Sequence, residues 1–188
     1  MDSQSIFYRL SAPLEASSTA ILTTAARLIF AGVLLMYFWN SALTKTGEGI
    51  FGFLAPDAGA YIQIFPKGFE AVGYDVSAFG TYHYLVVVAG TVAEFILPLL
   101  IVIGLLTRLA ALGMIGFVFV QSATDVVGHG AVAAGTFGAW FDGPSDALIA
   151  DQRAFWILLL AILVLKGGGP LSLDRVLFGE REPVDPYA

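Results

Sequence analysis

A carboxylate stands inside one of the most apolar stretches of the chain, because Glu94 is followed directly by FILPLLIVIGLL at 95–106. A charge at the centre of a bilayer costs at least about 2.5 kcal/mol on insertion scales, so an ionised side chain there needs a partner. Arg27 is the predicted partner, since it lies at a similar depth in an earlier apolar stretch. We expect a buried Arg27–Glu94 ion pair with Glu94 ionised. In the alternative, Arg27 extends to the headgroups and Glu94 is protonated.

A second group of polar side chains follows the ends of the apolar stretches. Two histidines and a carboxylate in this group could bind a metal, but glycines flank one histidine and nothing fixes the other beside it, so no metal site is predicted. A polar pocket for a quinone headgroup is favoured over a metal, because it needs donors for two carbonyl oxygens beside an apolar cleft. Solvated side chains without a ligand are the alternative. The group consists of Asn40, Lys45, His83, Gln121, Asp125 and His129.

The composition explains why these polar groups stand out. Of the 188 residues 57% are hydrophobic and only 13% are charged, whereas soluble domains have about 25% charged residues. A single domain over 1–188 facing lipid is therefore predicted.

The formal net charge of −6, without a basic cluster, argues against nucleic acid as a partner. The absence of cysteine excludes disulfides and Cys-ligated metals within this chain, so a redox role would use a partner or a diffusible cofactor such as a quinone, not a covalently bound one.

Four membrane-spanning helices must position these residues, at about 19–39, 82–104, 105–124 and 147–166. A span needs roughly 20 mostly apolar residues. Gly104 and the Thr107-Arg108 pair mark the turn between the second and third spans. The fourth apolar run, 155–165, reaches full length only if 147–154 joins it. The predicted fold is an all-α, integral membrane four-helix bundle.

Four spans place both termini on one side of the membrane. That side holds five basic residues against three on the other, so the positive-inside rule places both termini in the cytoplasm. The inner set is Arg9, Arg108, Lys166, Arg175 and Arg181, and the outer set is Lys45, Lys67 and Arg153.

The outer loop at 44–81 is rich in aromatic residues, and we expect it to lie in the headgroup layer or to cover the bundle. A folded loop that packs only on itself is the alternative.

Three sequence segments share the pattern of one protein family. They are AARLIFAG (25–32), EFILPLLIVIGLLTRLAA (94–111) and GGGPLSLDR (167–175). Over about 20–175 the chain resembles the DoxX family of small four-helix bacterial membrane proteins. The resemblance implies a multi-pass protein of the bacterial inner (plasma) membrane, and it marks Arg27, Glu94, Arg108 and Asp174 as family-pattern positions.

The segment after the last span predicts a short helix at the inner surface. Glycines 167–169 and Pro170 end the span, and Ser172 is placed to cap a helix over Ser172–Phe178. Asp174 in its first turn shares the inner face with Arg108, and we expect these two side chains to meet.

Three functions remain open on these grounds. The first is a membrane subunit beside a quinone-linked oxidoreductase, with a quinone or lipid site in the bundle and other membrane subunits as partners. The second is a structural or assembly subunit without chemistry of its own. The third is a small-solute or proton transporter with Glu94 as a relay, which is least favoured because no internal repeat is visible.

Overall fold

The computed structural model describes residues 3–179, with side chains from residue 11 onward. Of the basic residues counted for orientation, the Arg9 side chain and Arg181 lie outside this part. The described residues form helices and turns, without a strand. Their α-helices are α1 (Ser3–Phe30), α2 (Met36–Leu43), α3 (Ala58–Ile64), α4 (Pro66–Ala71), α5 (Thr81–Ile103), α6 (Thr107–Ala123), α7 (Gln152–Lys166) and α8 (Leu173–Phe178).

Two segments of π-helix extend these elements. Ala31–Leu35 joins α1 to α2 without a break, and Thr124–Gly128 continues α6. Three helical segments among residues 3–179 are long and apolar enough to cross a membrane: Ser11–Leu43, Thr81–Ile103 and Thr107–Gly128. At 1.5 Å per residue the shortest, with 22 residues, extends about 33 Å, which matches a hydrocarbon core of about 30 Å. These segments overlap the first three predicted spans, and the first is longer than predicted at both ends.

The fourth predicted span is shorter than expected. Helix α7 has 15 residues, about 22 Å of rise, and it packs against α1 and α6. The predicted start at 147 was wrong, because residues 148–151 form a turn. The amide of Ala147 donates to the Asp151 carboxylate at 3.0 Å, and the amide of Gln152 donates to the Ala147 carbonyl at 3.1 Å. These bonds hold the chain in the turn before α7 begins.

The principal core lies between the long helices. Each of α1, α2, α5, α6 and α7 contributes a fully buried side chain, respectively Phe30, Phe38, Ile101, Met114 and Leu160. Large aliphatic side chains on the opposite faces are exposed, among them Leu28, Leu85, Leu109 and Leu158. Exposed apolar surface of this extent is unusual for a soluble monomer and is typical of a surface that faces lipid or another protein.

The aromatic loop at 44–81 is folded and contains α3 and α4. Tyr61 and Phe69 are buried against Val87 of α5, so the loop packs both on itself and on a long helix. The Phe79 ring stacks on both of these aromatic rings, with centroids 5.5 and 5.6 Å away. Near its start the loop exposes Ile50 and Phe51. The loop therefore does not pack only on itself, as the alternative had it, and its place in the headgroup layer or over the bundle stays a prediction.

Candidate functional site

The buried carboxylate Glu94 pairs with a lysine. The Lys45 Nζ lies 2.8 Å from Glu94 Oε2 and 3.1 Å from Oε1, and both residues are only 4% exposed. The Lys45 Nζ also donates to the Ser41 hydroxyl at 2.7 Å and to the Ser41 carbonyl at 3.0 Å. The predicted Arg27–Glu94 pair is thus wrong. The expected depth assumed that the first helix ended near residue 39, but it continues to Leu43, and Lys45 reaches back to α5.

Arg27 instead binds backbone carbonyls at the C-terminal end of α5. Its Nε donates to the Ile101 carbonyl at 3.0 Å and its Nη2 to the Val102 carbonyl at 2.5 Å, while its Nη1 donates to the carbonyls of Gly168 and Leu171. The last carbonyls of a helix lack helical partners, and a cation is favourable at this negative end of the helix dipole. Arg27 therefore ties α1 to the end of α5 and to the loop after α7.

Asp174 caps the beginning of α6. Its carboxylate accepts hydrogen bonds from the Leu106 amide at 2.6 Å, the Thr107 amide at 2.9 Å and the Thr107 hydroxyl at 2.7 Å. The predicted Arg108–Asp174 contact is not formed, because the carboxylate is occupied by the helix amides. The Arg108 guanidinium donates to the Val164 carbonyl at 3.3 Å. A negative charge at a helix N-terminus satisfies free N–H groups and interacts favourably with the dipole.

Glycines allow the segments around Arg27 and Asp174 to approach closely. Gly104 ends α5 with φ of 72°, and a Cβ there would lie 2.6 Å from the Ser172 Cβ. A Cβ on Gly169, whose φ is 74°, would lie 2.0 Å from the Thr23 hydroxyl. The Ser172 hydroxyl accepts from the Arg175 amide at 3.3 Å, so Ser172 caps α8 as predicted. We call Arg27, Gly104, Thr107, Ser172 and Asp174 the Arg27 junction.

A polar cavity of about 390 Å³ lies where α2, α6 and α7 meet the loops beyond them. Three of the six predicted polar residues line it: Gln121, Asp125 and His129. The other three lie elsewhere: Lys45 is bonded to Glu94 behind Ser41, His83 stacks on Phe79 at 4.3 Å, and Asn40 is absent from the lining. Further polar lining residues are Tyr37, Ser41, Gln63, Thr136 and Arg153.

Arg153 is one of the lining residues that were not predicted from the sequence, where it counted only as a basic residue of the outer face. It is 6% exposed, binds the Asp125 carboxylate through Nη2, and donates from Nη1 to the Ser122 hydroxyl at 2.9 Å. Its Nε is buried without a hydrogen-bond partner. The signal in the sequence was an arginine at the start of an apolar run, where a buried position requires a carboxylate partner.

A second polar atom at the cavity also lacks a partner. The Gln121 Nε2 donates to the Tyr37 hydroxyl at 3.0 Å, whereas the Gln121 Oε1 is buried and unpaired. The His129 Nε2 lies 3.0 Å from the Gln63 carbonyl. Buried polar groups are nearly always paired with protein or water, and neither the Arg153 Nε nor the Gln121 Oε1 has a protein partner.

An apolar groove of about 390 Å³ lies next to this cavity. It is lined by Val33, Leu34, Tyr37, Gln152, Phe155 and Trp156. Tyr37 is a lining residue of both spaces. Val33 and Phe155 are 62% and 66% exposed, so the groove opens onto the outer surface of the long helices.

Both π-helical segments contribute to these spaces. Ala31–Leu35 provides Val33 and Leu34 of the groove, and Thr124–Gly128 provides Asp125 of the cavity. Because π-helix rotates the side chains that follow it and occurs often at functional sites, the coincidence of both segments with one pair of spaces supports a binding role.

Both histidines contact the 44–81 loop, His83 through the rings of Phe65 and Phe79 and His129 through the Gln63 carbonyl. Among the residues that the structure describes, no group of three His, Asp or Glu side chains is close enough to hold a metal ion.

Comparison of the chain with protein families, curated proteins and solved structures finds no match.

Proposed function

We propose that this chain is a multi-pass protein of the bacterial inner membrane that binds a quinone-class amphiphile and works as a membrane subunit beside a quinone-linked oxidoreductase. The subunit role is what the resemblance to the DoxX family implies. Three helices long and apolar enough to span a membrane support the location. The headgroup of the amphiphile would occupy the polar cavity and its tail the apolar groove.

The observation that carries this proposal is the position of Tyr37, which lines both the polar cavity and the apolar groove. Small-molecule sites have volumes of about 300–1,000 Å³, are mostly apolar and contain a few placed polar groups. The polar lining residues of the cavity can bind a carbonyl oxygen, and the groove opens where a tail would enter from the bilayer. A quinone combines these two requirements in one molecule.

The proposed bundle has α7 as its fourth span and both termini in the cytoplasm. Helix α7 is short, and bilayer thinning and the extension of flanking Lys166 toward the headgroups accommodate such a helix. The basic residues Arg108 and Lys166 lie at the same end as Arg27 and α8. Val176, Leu177 and Phe178 of α8 are exposed apolar side chains, which suits a helix on the membrane surface.

A structural or assembly subunit is the second candidate. It is favoured by the Arg27 junction, where two of the family-pattern residues are occupied in holding helix ends together. A transporter with Glu94 as a relay has less support, because both of its carboxylate oxygens already accept hydrogen bonds from Lys45.

The test is purification in a mild detergent, followed by mass spectrometry of extracted quinones and co-purified proteins. Val33→Trp would fill the groove, and Leu28→Trp, at an exposed position outside the groove, is the matched control. We expect bound quinone in the wild type and in the control, and at least about a tenfold loss in Val33→Trp, because the indole occupies the space of the tail. Stable partner proteins without quinone would instead favour the assembly subunit.

A further inference from the structure

The charges around the polar cavity are compensated in pairs. Arg153 and Asp125 are the basic and acidic side chains of its lining besides His129, and they bind each other. Behind Ser41, which also lines the cavity, Lys45 is paired with Glu94. Apart from His129, the lining and the pair behind it therefore carry no net charge. An anion that entered the cavity would meet no uncompensated lysine or arginine.

The hydrogen bonds of Arg153 leave one directional donor free. Its Nη2 is occupied by Asp125 and its Nη1 by the Ser122 hydroxyl, while Nε has no partner. Arg153 is more than nine-tenths buried, so bulk water does not take this place. The Asp125 carboxylate neutralises the positive charge of this guanidinium.

We propose that Asp125 is the specificity-determining residue of this cavity, which makes it accept an uncharged headgroup with an acceptor oxygen and reject a phosphate-bearing lipid. This inference rests on the proposed amphiphile site. A phosphate would lose its hydration and would face the Asp125 carboxylate in the same space, and both effects are unfavourable. A neutral carbonyl avoids both of these unfavourable effects.

The first arm of the test compares the binding of one phosphate-bearing lipid with the binding of two uncharged amphiphiles. The full-length wild-type chain in a neutral detergent is titrated with dioctanoylglycerol, with dioctanoyl phosphatidylglycerol and with a decyl-tailed benzoquinone, and native mass spectrometry counts the bound molecules. We expect the two uncharged probes to bind at least about tenfold more tightly than phosphatidylglycerol, as Coulomb repulsion at a partly buried site implies. Equal binding of phosphatidylglycerol and dioctanoylglycerol would overturn the inference.

The second arm changes the charge of the cavity. Asp125→Asn frees the Arg153 charge, so the affinity for phosphatidylglycerol should rise about tenfold or more, while that for the benzoquinone should change less than about threefold. Asp142→Asn, at an exposed loop position, is the control and should change neither. No gain in phosphatidylglycerol affinity in a folded Asp125→Asn protein would contradict the assignment.

The outcomes separate this inference from the proposed function. If Asp125→Asn does not fold, the wild-type comparison of the charged and uncharged lipids still decides the matter. If the benzoquinone and phosphatidylglycerol bind equally well, the selectivity is wrong but the amphiphile site stands. If none of the three probes binds to the wild type, both proposals are wrong.

Discussion

Lys45 and Glu94 form an ion pair in the interior of the protein, with the Lys45 Nζ 2.8 Å from the Glu94 Oε2 and both side chains almost fully buried. The pair connects the end of the first long helix to the middle of α5. Ser41 accepts from the ammonium at 2.7 Å, so the charges are paired and hydrogen-bonded as well as buried. A buried pair of this kind tolerates the loss of both charges far better than the loss of one.

The first prediction follows from that asymmetry. Glu94→Gln or Lys45→Met alone should lower the free energy of unfolding by about 3 kcal/mol or more, because each leaves a buried group without its partner. The double variant should recover much of this loss. Thermal unfolding of the detergent-solubilised proteins measures all three. Glu70→Gln, at an exposed position, is the control, and additive losses in the double variant would show that the two residues do not interact.

The second prediction concerns the cap of α6. Asp174→Asn should destabilise the protein by about 1–2 kcal/mol, because the amide removes the charge and places an NH₂ group against backbone donors. Arg108→Gln should change stability by less than about 0.5 kcal/mol, since Arg108 makes a single 3.3 Å contact with a carbonyl. Chemical unfolding of the two variants checks this order. Equal losses in the two variants, with no further loss in the double variant, would instead indicate the Arg108–Asp174 pair expected from the sequence.

The third prediction tests the close packing of the Arg27 junction. Gly104→Ala should lower stability by about 2 kcal/mol or more, because its φ of 72° disfavours a side chain and the new Cβ would lie 2.6 Å from the Ser172 Cβ. Gly116 in α6 is the matched control, since a Cβ there meets nothing within 4 Å. Gly116→Ala should leave stability within about 1 kcal/mol of the wild type. Similar melting temperatures for the two variants would contradict the close approach.

The fourth prediction concerns orientation. The chain contains no cysteine, so single cysteines can be introduced without a background. Asp142→Cys should react with a membrane-impermeant maleimide in intact spheroplasts, whereas Val176→Cys on α8 should react only after permeabilisation, as the positive-inside rule requires. The reverse pattern of labelling would place both termini outside the cytoplasm and would overturn the proposed topology.

The long helices were predictable from sequence because their apolar runs are long and their ends carry clear signals. Gly104 produces the turn before α6, and Ser172 caps α8, as residue type alone indicates. The start of α7 was not predictable in this way. The Asp151 carboxylate holds the preceding residues in a turn, and the apolar character of 147–150 does not reveal such a side-chain interaction.

The partners of buried charges were harder to predict than the need for partners. Glu94 required a cation and Arg27 required acceptors, but depth along two helices did not identify them. The π-helical segment and the extra turn of α2 bring Lys45 to Glu94, and neither feature has a signature in the apolar pattern. The position of Arg153 in the cavity lining was not predictable for a similar reason, because it depends on how α7 packs against α6.

The most direct test of the central claim, that the cavity and groove bind a quinone-class amphiphile, uses the fluorescence of Trp156 in the groove. Quinones quench tryptophan at short range, and the chain has three tryptophans. Replacing Trp39 and Trp140 by Phe leaves Trp156 alone, and replacing Trp39 and Trp156 leaves the exposed Trp140 as the control. We predict saturable quenching of Trp156 by a decyl-tailed benzoquinone and a merely linear, collisional response of Trp140. A linear response of Trp156 equal to that of Trp140 would contradict the binding site.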